Sequence, residues 1–502
     1  FCCLYLVDYC IKKKYKISKI FVNSKAFKTI LSDYLNEKKI KIKVELKYSN
    51  YFYIKDLFYK KIKIIIIFLN FLIKILSCKF SNNFSTKIFK KNIILIDTYI
   101  LNDHLFKDRY YSGLIENLNI EIKKNIFFVP TILLVPFYKF FGIYCKLRKN
   151  NKRQFLFKED YLKFNDLIYS LFFIKKIKNI VLKKNRILNQ DFSILVLEEL
   201  NRYIGLTETI ESLLTYRFIK NLKNNNFSIS KSINWFENQK IDKAWNLSFN
   251  LFFPKTYLVG YRGLVPDMLY LSQMYITSLE HESKVLPKKI FVIGKGFLKS
   301  IKLFSPKTLI EVAPAFRFFH LWSKIKKNNL ERSILIALPI NYFDSIEILK
   351  IVLEHICKNK KNKMNYYLKL HPTLNYNKIK NFLKNNFSKF ILIDDIFLSQ
   401  NNFKIIITGM SSMALEKIAE GYPVIIINRS NWFQNKSIPD EINKDFWRLC
   451  DSANKLNSSI QYFISKKPSQ IAKFKNNATK IRQNYFEKTT VKGINKFLNI
   501  KL

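Results

Sequence analysis

The chain has 502 residues, 48% hydrophobic and 25% charged, a balance that excludes intrinsic disorder and supplies two or three cores of ordinary size. Its 10 Gly and 12 Pro exclude collagen-like and linker-rich architectures, and its 7 Cys, without a CxxC or Cys/His cluster, speak against a disulfide scaffold or structural zinc site and for a reducing compartment. The 87 Lys+Arg against 37 Asp+Glu give a net charge of +50, a surplus suited to nucleic acid or anionic lipid, but the basic residues are mostly Lys and are dispersed along the chain, as AT-rich coding writes them.

The opening FCCLYLVDYC has no basic flank and no cleavage site, so no secretory signal is expected, and the lack of an initiator Met points to missing first residues. KIFVNS (19–24), a helical pattern to about Leu35 and KIKVEL (41–46) predict a βαβ unit completing an N-terminal lobe. Two apolar stretches, 64–78 and 126–145, invite a membrane test. The first is short and carries Lys74; the second is interrupted by Pro130, Pro136 and Lys139, so each reads as a buried helix or as a segment lying among anionic headgroups. NIILIDTY (92–99) predicts a buried strand with Asp97 near its C-terminal end, where open α/β sheets place ligands. A mostly helical, Lys/Asn-rich middle (151–230) precedes SINWFENQ (232–239) and TYLVGYRG (256–263), both strand-like with polar ends.

A second α/β block is expected to begin at KIFVIGKG (289–296). It continues through SILIALPI (333–340), YYLKLHP (366–372), FILIDD (390–395), KIIITGMSS (404–412) and YPVIIIN (422–428), with helices between them. The expected fold class is α/β, with two Rossmann-like doubly wound domains facing a central cleft. The boundaries fall at 1–288, 289–465 and a helical tail over 466–502.

The chemistry gathers at strand ends of the second block. His371 follows a buried strand that Pro372 stops, which presents the imidazole to a phosphate, with Lys369 on the same side. Ser411 and Ser412 stand where a strand becomes a helix; one of them caps the helix, and its free N–H groups form an anion seat. Glu416, one turn on, is placed to accept from a ribose diol. Each has a plain structural role as well: a capping serine, a structural histidine, a first-turn acid favoured by the helix dipole. Their order along successive strands of one sheet favours a site.

K-L-H-P followed by T-G-M-S-S-M-A-L-E-K-I-A-E-G-Y-P-V resembles the nucleotide-binding half of GT-B glycosyltransferases, in particular bacterial enzymes of capsule and surface-carbohydrate synthesis. The resemblance runs on through KDRYYSGL (107–114), FLFKED (155–160), NWFENQKIDKAWN (234–246), GYRG, PKKIFVIGKG and EVAPAFRFFHLW (311–322). It implies a GT-B-like fold, with residues 1–288 on the acceptor side and 289–465 binding the nucleotide-sugar. It also implies that His371, Ser411 and Ser412 hold the nucleotide phosphates and that Glu416 meets the ribose. The acidic D/E-D/E-G base motif of bacterial sialyltransferases is missing, so sialic-acid transfer is not implied.

An inverting transfer needs a base for the acceptor hydroxyl and stabilisation of the departing phosphate. Glu237 is the first choice of base, with Asp108 and Asp97 in reserve; a helix-terminal or hinge contact is its structural alternative. Arg262 and Arg317 suit an anionic sugar or the donor phosphate, or surface salt bridges. No bound cofactor and no metal site is expected, the nucleotide-sugar being the donor substrate. The expected partners are that donor, a glycan or lipid-linked acceptor and an anionic inner-membrane surface, with no nucleic acid, and the expected location is cytoplasmic or peripheral on the inner membrane. A polyol-phosphate transferase or sugar-nucleotide epimerase on the same fold remains open, as does, from another class, a basic nucleic-acid-binding protein or a non-catalytic scaffold.

Overall fold

The computed structural model describes residues 2–47, 50–84, 92–101, 108–182, 186–187, 189–201, 205–270, 274–304, 306–323, 327–359, 364–429 and 436–500. Lys107 of the KDRYYSGL segment, Phe1 and residues 501–502 lie outside them. The chain divides into two compact units, residues 1–80 with 159–218 and residues 81–158 with 219–502.

In the first unit, α1 (Cys2–Lys12), β1 (Lys19–Val22), α2 (Lys25–Glu37) and β2 (Lys43–Leu46) enclose a small core of Leu4, Val22, Ile30, Leu31, Tyr34, Leu35 and Val44. The Ser24 hydroxyl caps α2 by accepting from the Phe27 N–H at 2.9 Å. The βαβ unit forms as expected, but β1 and β2 pair only with each other, as a separate two-stranded parallel sheet. They do not complete the lobe that follows. The stretch 64–78 lies within α3 (Asn50–Phe80), and no helix among the described residues is long and apolar enough to cross a membrane. Lys74 points inward to Glu159 at 3.4 Å and Glu211 at 3.3 Å, with all three side chains at most 7% exposed. Burial opposes its charge, but the two carboxylates outweigh that and raise its pKa.

The second unit holds two large all-parallel sheets, besides a two-stranded parallel pair of Asn328–Asn329 with Asn401–Asn402. The first contains β3 (Ile93–Ile100), β4 (Ile126–Ile132), β5 (Gln154–Phe155), β6 (Ile229–Trp235), β7 (Tyr257–Arg262), β8 (Lys289–Val292) and β9 (Ile310–Val312), in the order β9-β8-β7-β6-β3-β4-β5. The second contains β10 (Ser333–Ala337), β11 (Asn365–Lys369), β12 (Ile391–Ile393), β13 (Ile405–Thr408), β14 (Val424–Ile427) and β15 (Trp447–Cys450), in the order β12-β11-β10-β13-β14-β15. The strands are near-continuous runs of Ile, Leu and Val because helices cover both faces. Both strand orders are those of Rossmann-like doubly wound α/β sheets.

Two expectations change. KIFVIGKG does not open the second sheet: β8 pairs with β7 in the first, Lys289 opposite Val259. A strand–helix alternation looks the same whichever sheet its next strand joins, so pairing was not legible there. The stretch 126–145 is not one helix: residues 126–132 are the fully buried strand β4, and α4 (Phe140–Arg148) follows after a corner. Pro130 is tolerated within β4 because β5 reaches only Phe127 and Phe128, leaving the strand unpaired on that side at residue 130.

The positions that matter for a site follow from strand order. In the first sheet the chain leaves β3 toward β4 and later returns to β6 on its other flank; in the second, β10 lies between β11 and β13. The C-terminal ends of β3 and β6, and of β10 and β13, are therefore the topological switch points of the two sheets, where open α/β sheets have their crevices. Near the C-terminus, α5 (Pro468–Tyr485) packs against the helix Ser412–Glu420, and its C-terminal end and α6 (Val491–Phe497) meet the first sheet. Glu487 N–H donates to the Ile293 carbonyl, and Phe497 meets the rings of Tyr261 and Phe291 at 5.3 and 5.4 Å.

Candidate active site

At the β3/β6 crevice, Glu237 directly follows β6 and Phe236. Its Oε1 accepts from Trp235 Nε1 at 2.7 Å and its Oε2 from Gln239 Nε2 at 3.2 Å. Beneath it Asp242, in the first turn of the helix Lys240–Phe252, accepts the backbone N–H groups of Glu237 (2.7 Å) and Gln239 (3.0 Å) on one oxygen. Burial raises Asp242 to about 7 against those bonds, and the neighbouring Glu237 charge adds to the rise. Arg262, 2% exposed, lies over the Phe236 ring and lends its charge to Glu237 and Asp242; burial lowers it to about 10. The loop carrying Glu237 is thereby fixed from below.

The same crevice is walled by aromatic rings. Tyr110 meets Trp235 edge-on at 4.7 Å and Tyr99 at 5.7 Å, while Tyr261 donates to the Pro314 carbonyl at 2.8 Å and accepts from Phe316 N–H at 3.1 Å. That pair of bonds sets the turn carrying Arg317. Gly263 of GYRG is dictated by the same wall, since a Cβ there would lie 2.3 Å from the Trp235 ring.

Across the second sheet, His371 leaves the end of β11. Its Nδ1 accepts the Thr373 N–H at 3.2 Å and lies 2.7 Å from the Thr373 hydroxyl, so the proton of the neutral ring sits on Nε2, where it can be donated. Burial, then the charges of Arg109, Arg317 and Lys369, push His371 down to about 4, so it is neutral at ordinary pH. Lys369 pairs with Asp395 at 3.0 Å. Ser411 stands at the N-cap of α7 (Ser412–Glu420), but contrary to expectation its side chain makes no capping bond, leaving the helix end open. Thr408 at the end of β13 donates to the Ala337 carbonyl at 2.9 Å, tying β13 to β10 at their crevice.

Arg317 links the two sides. It sits among Arg109, Tyr110, Glu416 and Glu237, and makes no ion pair or side-chain hydrogen bond among the described residues. Burial and then the nearby Arg109 lower its pKa, so the site presents two mutually repelling guanidinium groups. Glu416 accepts or shares a proton with His320 Nε2 at 3.2 Å and lies 3.5 Å from Lys417 Nζ. Burial would raise it, but Lys417 and His320 hold it well below the usual carboxylate range. His320, Glu416 and Glu420 bring three ligand atoms within 4.8 Å of one another, but Lys417 and Lys327 occupy the carboxylates of Glu420 at 2.5 and 3.3 Å. The group is an ion-pair network.

Of the residues singled out in the sequence, Glu237, Arg317, His371, Lys369 and Glu416 interact with one another or with shared neighbours, and Ser411, Pro372 and Ser412 flank them on their strand ends. Asp108 is turned to support: one oxygen accepts from Tyr110 and Tyr111 N–H at 2.9 Å each, and the other pairs with Arg153 at 3.2 Å. Asp97 is 3% exposed within β3. Arg262 is buried behind Glu237 instead of facing the crevice. Sequence reasoning missed Arg109 and Asp242, although both lie inside the KDRYYSGL and NWFENQKIDKAWN segments.

No protein-family model matches the chain, and no curated protein matches it. Solved structures similar to it include Staphylococcus aureus MnaA with UDP, at 9% identity and a TM-score of 0.48, covering 82% of this chain and 98% of that one. The UDP-GlcNAc 2-epimerase of Methanocaldococcus jannaschii with UDP-GlcNAc and UDP gives 13% and 0.43, covering 82% and 99%. MurG of Acinetobacter baumannii gives 10% and 0.39, covering 82% and 100%. The chemistry rests on the residues described above.

Proposed function

We propose that the protein is a glycosyltransferase that moves a sugar from a nucleotide-sugar donor to a surface-polysaccharide or lipid-linked acceptor. One observation carries this reading: Arg109, Arg317 and a neutral, Nε2-protonated His371 share one electrostatic neighbourhood with the Glu237 carboxylate. The cations and donors suit a departing nucleotide phosphate, and His371 donates to it without needing a charge. Glu237, held by Trp235 and Gln239, takes the proton of the acceptor hydroxyl as its oxygen attacks the anomeric carbon. Glu416, kept ionised, receives the ribose hydroxyls. The sheet formed by β3 to β9 carries the acceptor side and the sheet formed by β10 to β15 the donor side.

The test is thermal stabilisation by CMP, CDP, UDP, GDP and ADP, with duplex DNA as control, followed by turnover with the nucleotide-sugar selected. One nucleotide is expected to raise the midpoint, and His371→Ala to abolish the rise. Glu237→Gln is expected to keep the rise and lose turnover by about 10²–10⁴-fold. Salt-sensitive DNA binding without a nucleotide response would overturn the reading. An altered free sugar nucleotide formed without acceptor would replace it with an epimerase, and a phosphodiester product with a polyol-phosphate transferase.

A further inference from the structure

We propose that the corner between β4 and α4 docks this protein onto an anionic phospholipid bilayer. The corner is anchored on both sides, by the fully buried β4 and by the inward face of α4 with Phe140, Ile143, Tyr144 and Leu147. At this corner and the start of α4 the chain turns four large apolar side chains outward: Leu134 (72% exposed), Phe137 (57%), Tyr138 (70%) and Phe141 (49%). Leu134 has φ +56°, a left-handed backbone that a branched residue adopts at a cost, and that cost is spent to aim a leucine at solvent. Phe137 and Tyr138 stack edge to face at 5.9 Å, and the Lys139 ammonium lies 6.0 Å from the Tyr138 ring, so the tip is organised.

Charge identifies the occupant. Residues 123–158 contain nine Lys or Arg and no Asp or Glu. Arg153 and Lys158 are buried, whereas Lys139 at the tip and Lys146 and Lys149 along and after α4 are exposed. An apolar tip in a segment that carries ammonium groups and no carboxylate matches acyl chains beneath anionic headgroups. A second copy of the same face would bring like charges together, and nucleic acid offers nothing for a leucine and a phenylalanine to enter. The inference is independent of the sugar-transfer reading.

The whole chain is mixed with vesicles of 30 mol% phosphatidylglycerol in phosphatidylcholine at 150 mM salt. A charge of +50 alone would attract the protein, so the readouts are local to the corner. Phe137→Ser with Phe141→Ser leaves the charge unchanged and is expected to weaken partitioning about tenfold or more. In F137W the added indole is expected to be quenched by brominated acyl chains, while in L303W, at a 77% exposed position near other lysines, it is not. Unaltered melting and nucleotide response in the double variant establish that it is folded. Partitioning that survives the double substitution, equal quenching at both positions, or a fall in solution molar mass on substitution would each overturn the proposal, the last by assigning the face to contacts between copies.

Discussion

Asp242 is a carboxylate whose position and titration have opposite effects. Its oxygen orders the backbone of Glu237 and Gln239, yet burial lifts its pKa to about 7, far above the roughly 3.9 of an unfolded chain. Between those values the folded state keeps a proton that the unfolded state has released, so stability falls as pH rises from about 4 to 7, by up to about 1.4 kcal/mol per unit. His371 acts in the other direction. Its depressed pKa of about 4 leaves the folded ring neutral where the unfolded one is charged, so its contribution is present above about 6.5 and is lost as pH falls toward 4. The two slopes overlap, and only a difference between variants separates them. Asp242→Asn keeps the accepting oxygen and removes the charge, so it is expected to gain about 2–4 kcal/mol relative to the parent between pH 5 and pH 8. Unfolding midpoints in urea at both pH values check this; an unchanged difference would mean that Asp242 titrates normally. Neither Asp242 nor Arg109 had a signal of its own in the sequence. An acid in the first turn of a helix and an arginine in a loop are common, and what marks these two is burial and the convergence of other charges.

At the scale of elements, the glycines of KIFVIGKG record a packing requirement. Gly294 has an extended backbone that any residue can adopt, but a Cβ there would lie 2.4 Å from the Tyr485 backbone at the end of α5, and one at Gly296 would lie 2.2 Å from the Tyr485 ring. The segment expected to open the second α/β block is the seat of the end of α5 on the first sheet. Gly294→Ala forces main chain against main chain and is expected to cost about 1–3 kcal/mol or more. Gly142→Ala, in α4, meets nothing within 4 Å and is expected to be neutral or to stabilise by about 0.5–1 kcal/mol through helix propensity. Thermal melts of the two variants check both signs, and a neutral Gly294→Ala would show that the helix end is free to move. Strand legibility followed the same physics. SILIALPI, YYLKLHP, KIIITGMSS and YPVIIIN were readable because strands covered on both faces are continuous apolar runs, and FILIDD because it is an equally continuous apolar run, although Ile391 and Leu392 are exposed. β15 was not, because its side chains are mostly half-exposed and include Trp447 and Arg448. The sheet to which β8 belongs, and the isolation of β1 and β2, depend on tertiary pairing that periodicity does not encode.

For the whole molecule, the question left by composition is whether +50 strains the fold. An accessible surface of 28489 Å² shared among 50 net charges is about 570 Å² each, a mean spacing of about 24 Å. The screening length is about 10 Å at 0.1 M salt and about 30 Å at 0.01 M. Mutual repulsion is therefore felt in dilute buffer and largely extinguished near physiological salt. The melting midpoint is expected to climb between 10 and 100 mM sodium chloride and then level off. A site-bound anion behaves differently: inorganic phosphate or pyrophosphate at millimolar concentration, in a background of 150 mM chloride, is expected to raise the midpoint further by occupying the Arg109, Arg317 and His371 cluster. Arg317→Gln is expected to remove that second rise and leave the first intact. A midpoint that keeps climbing with chloride to 1 M would point to ion binding instead of screening. A phosphate response that survives Arg317→Gln would separate the anion seat from the crevice and return the net charge to consideration as a functional feature.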